Sequence, residues 1–182
     1  MTDAHRESFA KQTDKLEAHL RSASLPIKQG RLYRAAALRV LKKMSHESLL
    51  RLEDNLTSYY FYPDLNAVGA TMGNRPDALA FYRASNGSLH LDGGEKGDTI
   101  HDIYAHEYTH GLDGPDDEIS GTAGWKAAWQ EEIVEEEGLG GAGLESPAEG
   151  LASFGELMLR GRREAAMSKC PKCVAFWEDL GL

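Results

Sequence analysis

The sequence predicts an α+β fold, and three observations carry that prediction. Segments rich in aromatic and β-branched residues, read as short strands, fall between positions 56 and 92. Helical periodicities fill the remainder of the chain after them, with no further strand pattern. Hydrophobic residues make up 41% and charged residues 27% of the 182 positions, which supports a buried core and excludes a disordered chain. The length suits one domain spanning 1–182, with a sheet-bearing part over about 26–113 and a helical lobe over about 114–182.

The elements follow in order. Residues 1–25 are polar with a weak helical pattern (Phe9, Leu16, Leu20) and are expected to fray. Pro26 can open a helix over 27–44, where Ile27, Leu32, Ala35, Ala36, Leu38, Val40 and Leu41 recur among Lys and Arg. A short helix covers Ser45–Asn55, and Leu56–Tyr62 reads as a strand that Pro63 ends. Ala78–Arg83 and Ser88–Asp92 flank Asn86-Gly87, a hairpin signal. Beyond a glycine-rich stretch, a helix capped by Asp98 or Thr99 runs to about Leu112, where Gly111, Gly114 and Pro115 stop it. The next helix spans Thr122–Glu136, with Trp125, Ala128, Trp129 and Ile133 on a core-facing stripe. Gly138–Gly143 is a loop, Ser146-Pro147 starts a helix to about Arg162, and Val174–Leu180 forms a last short one.

Charge narrows the partners. Twenty Lys and Arg face twenty-nine Asp and Glu, a net charge of −9, which argues against nucleic acid as the main partner. No run approaches the ~18 apolar residues of a membrane span. The N-terminus lacks an apolar signal stretch, so a cytoplasmic location is expected. Cys170-Pro-Lys-Cys173 holds both cysteines and cannot join distant parts of the fold. The acidic residues Glu131, Glu132, Glu135, Glu136 and Glu137, with Asp116, Asp117 and Glu118, read as a solvated face.

The chemistry sits in His106-Glu107-Tyr108-Thr109-His110, inside a predicted helix. Residues four apart share a helix face, so both imidazoles can bind one ion, zinc (Zn2+) being the expected cofactor. Glu107 stands beside them as general base for a metal-activated water. A catalytic zinc takes three protein ligands and leaves one position open. Glu149, 43 residues after His106, would enter in the first turn of the helix begun at Pro147, with Ala152 and Ser153 small enough for close approach. Ser146-x-x-Glu149 is also a capping box, in which the carboxylate would only cap its own helix. Asp116 is a rival third ligand, although the compact motif it approximates wants Gly where Asp113 stands.

His106-Glu-Tyr-Thr-His110-Gly-Leu-Asp113, Trp125 and Trp129, and Pro147-Ala-Glu149-Gly-Leu-Ala-Ser-Phe154 together resemble the gluzincin branch of zincin metallopeptidases. The resemblance runs over about residues 56–160 and is nearest to the catalytic domain of anthrax lethal factor and the Pro-Pro endopeptidases. It implies a zincin-like fold, with a small twisted mixed sheet packed on the metal helix and a helical lobe behind. It also implies His106, His110 and Glu149 as ligands, Glu107 as base, and Asp113 as a carboxylate orienting a ligand histidine. The substrate would be a peptide or protein, held by pairing with the strand Ser88–Asp92, and the chain would act as a monomer. One departure stands out: those relatives carry an oxyanion-stabilising Tyr about seven residues before the ligand Glu, and position 142 is Ala. His90, His101, Tyr82, Tyr104 and Tyr108 are the available replacements, and the sequence selects none of them.

Overall fold

A computed structural model describes residues 2–62, 65, 79–92, 98–136, 138–139 and 141–182. Among them are eight α-helices and a three-stranded mixed sheet, so the α+β class is observed.

Helices α1 (Asp3–Ser22), α2 (Ile27–Leu41) and α3 (His46–Asn55) come first. The expected fraying of 1–25 is overturned, because α1 buries Ser8, Gln12 and Leu16 against the rest of the fold. These residues recur every four positions and form one stripe, but two of the three are polar, which hid it from a hydrophobicity pattern. Lys15 reaches the Leu56 carbonyl oxygen, and the His19 ring lies 5.7 Å from Tyr59. Both contacts tie α1 to the edge of the sheet.

The strands are β1 (Ser58–Tyr62), β2 (Ala80–Arg83) and β3 (Ser88–Asp92), in the order β1-β3-β2. β1 runs parallel to β3 with Ser58 opposite Ser88, and β2 runs antiparallel with Ala80 opposite Leu91. The predicted hairpin forms through a 3-10 turn at Ala84–Asn86, and Gly87 follows at φ +63°. That left-handed conformation favours glycine, and a Cβ there would lie 2.2 Å from the Asn55 carbonyl oxygen at the end of α3. One expectation fails at this point. β3 is the central strand, its hydrogen-bonding edges taken by β1 and β2, so it has no free edge for a peptide; β2 is an edge strand.

Leu89, Leu91 and Tyr59 face inward, whereas His90 lies on the other face among aromatic rings. Its ring stacks 4.4 Å from Phe81 and 4.9 Å from Tyr60. Ser88 Oγ donates to Asn86 Oδ1 at 2.6 Å and therefore accepts from His90 Nε2 at 2.7 Å. His90 Nδ1 then accepts from the Tyr62 hydroxyl at 2.8 Å. A neutral imidazole has one donor and one acceptor, and both are satisfied.

The helix α4 (Asp98–Asp113) leaves β3 and passes under the sheet. Asp98 and Thr99 form its first turn instead of preceding it, so its cap lies outside the described residues. Ile100, Tyr104, Ala105, Tyr108 and Leu112 are buried, and the Tyr59 and Tyr108 hydroxyls meet at 3.0 Å.

The second half is helical. α5 (Ala123–Ala128) starts where Thr122 Oγ1 accepts from Trp125 N at 3.2 Å, then widens into a π-helical turn at Trp129–Glu135. Glu132 consequently is not on a solvated face. It is 3% exposed, and its carboxylate accepts from the backbone of Lys172 (2.8 Å) and Cys173 (2.9 Å). It thereby satisfies amides at the start of α8 (Pro171–Asp179). α6 (Pro147–Leu159) ends three residues before the expected Arg162, and α7 (Arg163–Lys169) is a helix the sequence reading did not assign. Trp125 lies 5.9 Å from Phe154 and 5.7 Å from Phe176. One contiguous cluster of buried residues extends from Leu16 to Trp177. Cys170 and Cys173 are buried free thiols within it, and among the described residues no helix is long and apolar enough to cross a membrane.

Burial, with Arg83 close by, depresses the His90 pKa from about 6.5 to about 4. The unfolded chain therefore binds the extra proton between those values, and stability present above pH 6.5 is lost as the pH falls toward 4. Between pH 7 and pH 5 urea unfolding should lose about 2 kcal/mol more in the wild type than in His90→Gln. Equal losses would place the titration elsewhere.

Candidate metal centre

Helix α4 carries His106 and His110 one turn apart, with ring centroids separated by 5.0 Å. Glu149 arrives from the first turn of α6. Its Oε2 stands 3.3 Å from His106 Nε2 and 3.7 Å from His110 Nε2. One ligand atom from each residue lies within 4.8 Å of the others, and among the described residues this is the one such group. Ligands about 2.0–2.1 Å from a tetrahedral ion stand about 3.3 Å apart, close to the 3.3 Å and 3.7 Å that separate Glu149 Oε2 from the two imidazole nitrogens. Each of the three side chains is partly buried and keeps 16–20% of its exposure. The residues present could hold a metal ion.

Electrostatics favour positive charge between them. The close imidazoles of His106 and then His110 hold the Glu149 carboxyl well below the usual carboxylate range. Burial pulls the His110 pKa down, but Glu149, Glu107 and Asp113 outweigh it, and the net shift is upward.

Glu107 is 8% exposed and accepts a hydrogen bond from the backbone N–H of Tyr82 on β2. Its Oε2 is buried without a hydrogen-bond partner among the described residues. Burial raises its pKa, against the opposing pull of His110 and His106. An ionisable oxygen kept dry and unsatisfied beside two imidazoles is the kind of exception that needs a reason.

Three features set Glu149 in place. Ser146 Oγ accepts from Glu149 N at 3.2 Å, so the serine half of the capping box forms while the carboxylate is aimed at the histidines. Trp125 Nε1 donates to the Pro147 carbonyl at 2.7 Å and Trp129 Nε1 to that of Gly143 at 2.9 Å, pinning the start of α6 from two sides. Finally α6 lies unusually close to α4, because a Cβ at Gly155 would stand 2.2 Å from Thr109 Oγ1.

The other sequence candidates fall elsewhere. Asp116 is exposed in the turn after α4 and is outside the metal-binding group. Asp113 is buried and its Oδ1 accepts from Ile119 N (2.9 Å) and Ser120 N (2.7 Å), so it organises that turn while its charge acts on His110. Tyr104 and Tyr108 are fully buried in the core, Tyr82 donates to the Asn55 carbonyl, and His90 is on the outer sheet face. His101 is about 140° around α4 from His106. A cavity of about 480 Å³ opens beside His106 and is lined by residues of α6 and α7, most of which the sequence reading left unremarked. The only signal for them was Ser153, one turn after Glu149. No family model matches the chain and no curated protein matches it.

Glu149→Ala should weaken zinc binding by more than the roughly 10–100-fold that loss of a ligand's hydrogen-bond partner costs. Asp116→Ala should leave it unchanged, and a competition titration with a chromophoric chelator reads both. Gly155→Ala should lower stability by about 1–3 kcal/mol in urea and weaken zinc binding, since the new methyl must push α6 off α4.

Proposed function

We propose that the protein is a zinc-dependent peptidase of the zincin type. The observation that carries this reading is the Glu149 carboxylate set against Nε2 of both histidines of the His106–His110 helix, with the buried Glu107 beside them. The topology supports it: an antiparallel edge strand, β2, then an inner strand, β3, then the helix that bears the histidines. Two imidazole nitrogens and one carboxylate oxygen are a donor set of catalytic zinc sites.

Bound at these residues, zinc would supply a Lewis acid that lowers the pKa of a water and polarises a carbonyl. Glu107 does the proton work. Its one oxygen is fixed by the Tyr82 N–H, and Oε2 is left to take a proton from the attacking water and return it to the leaving amine. A raised pKa suits a group that must both accept and donate near neutral pH. An extended peptide would lie along β2, the edge on the Glu107 side, in place of β3.

A second reading, a metal-binding module without catalysis, is favoured by one specific feature, Ala142 where the similar peptidases have a Tyr. Glu107→Gln separates the two. Digesting a peptide library with purified, zinc-loaded protein should show cleavage that drops by about 10²–10⁴-fold in the variant, with zinc stoichiometry unchanged by metal analysis. Wild-type protein that binds zinc and cleaves nothing would support the module.

A further inference from the structure

The cavity beside His106 holds two cations that nothing in the peptidase reading uses. It is about 480 Å³, large enough for one to three side chains. One side is lined by Arg162, the residue just before α7, and by Ala165 and Lys169, which stand one turn apart on α7. Leu139 and Leu157 give the cavity apolar sides.

The single carboxylate in the lining is already opposed. Glu156 Oε1 lies 3.2 Å from Arg160 Nη1, and Arg160 Nε lies 2.9 Å from Asp102 Oδ1. Arg160 is not part of the cavity wall, so Glu156 is countered from behind it. Arg162 and Lys169 form no ion pair among the described residues. In a chain of net charge −9, this cavity carries two cations against one countered carboxylate and is locally positive.

We infer that this cavity is a specificity pocket for a carboxylate of the peptide substrate, an inference that rests on the peptidase reading above. Methylenes of a glutamate stem lie against Leu139 and Leu157, and its carboxylate lies between Arg162 and Lys169. Because His106 forms part of the rim, the acidic group sits within a residue or two of the bond cleaved, at about 3.3–3.6 Å of chain per residue. A substrate C-terminal carboxylate offers the same chemistry.

The test uses the full chain and two readouts. Fluorescence anisotropy on metal-free protein compares fluorescein-labelled, C-amidated peptides with Glu or Gln at one position, and Gln peptides ending in acid or amide. At low salt the carboxylate peptides should bind about fivefold more tightly. The preference should fade in ~0.5 M NaCl, vanish in Arg162→Gln/Lys169→Gln, and pass to a Lys peptide in Arg162→Glu/Lys169→Glu. Preference for internal Glu identifies a side-chain carboxylate, and preference only for free acids identifies the substrate terminus. Equal affinities for all three peptides, or a preference that survives the double Gln variant, overturn the inference. Library digestion with zinc-loaded protein then separates it from the reading it rests on. Cleavage without acid selection removes the pocket and keeps the peptidase, whereas carboxylate binding without any cleavage removes the peptidase and keeps the pocket. Both residues are exposed, so circular dichroism melts should show the variants folded; should one unfold, the wild-type discrimination and its salt dependence still decide.

Discussion

The distance between α4 and α6 at the Thr109–Gly155 crossing governs the rest of this structure. Only a residue without a Cβ lets the two helices approach there, since an added carbon would stand 2.2 Å from Thr109 Oγ1. That approach carries Glu149 to within 3.3 Å of His106. A wider crossing would leave two histidines on a helix surface and a carboxylate that merely caps its own helix. Close-packed interiors are bistable in this sense, because a displaced methyl is felt across the whole contact.

The supporting parts follow from that constraint. Two indoles hold the entry to α6 by donating to backbone carbonyls, Trp125 at its first residue and Trp129 in the turn before it, so both help to place Glu149. Gly150 makes the second of these possible, as a Cβ there would stand 2.2 Å from the Trp129 ring. The π-helical turn after α5 brings Glu132 inward to the start of α8, which closes the helical lobe behind the site. Around the two imidazoles the fold places three carboxylates, Glu149, Glu107 and Asp113. An ion held by such carboxylates in a partly dry site would offset their mutual repulsion, and its binding would add to folding stability.

Much of this was legible beforehand. The hairpin announced itself in Asn86-Gly87, the third helix in Ser45, and α6 in Ser146-Pro147, since turn and cap chemistry is local. Local signals misled where the stabilising partner was distant in sequence. The polar stripe of α1 is buried by α3 and the sheet, and Glu132 belongs inside because its partners come forty residues later. β3 looked available to a peptide because strand order cannot be read from strand pattern.

The sequence by itself determined the pair of imidazoles, since a helix of known pitch places His106 and His110 on one face whatever surrounds it. It also determined that an acid would stand between them. Which carboxylate completes the group was a choice between Glu149 and Asp116, both at plausible spacing, and only packing brought the one from α6 against the histidines while leaving the other in an exposed turn. The cations of α7 beside His106 likewise came from tertiary structure, because adjacency between helices depends on how closely small residues let them approach, and no single segment encodes that distance.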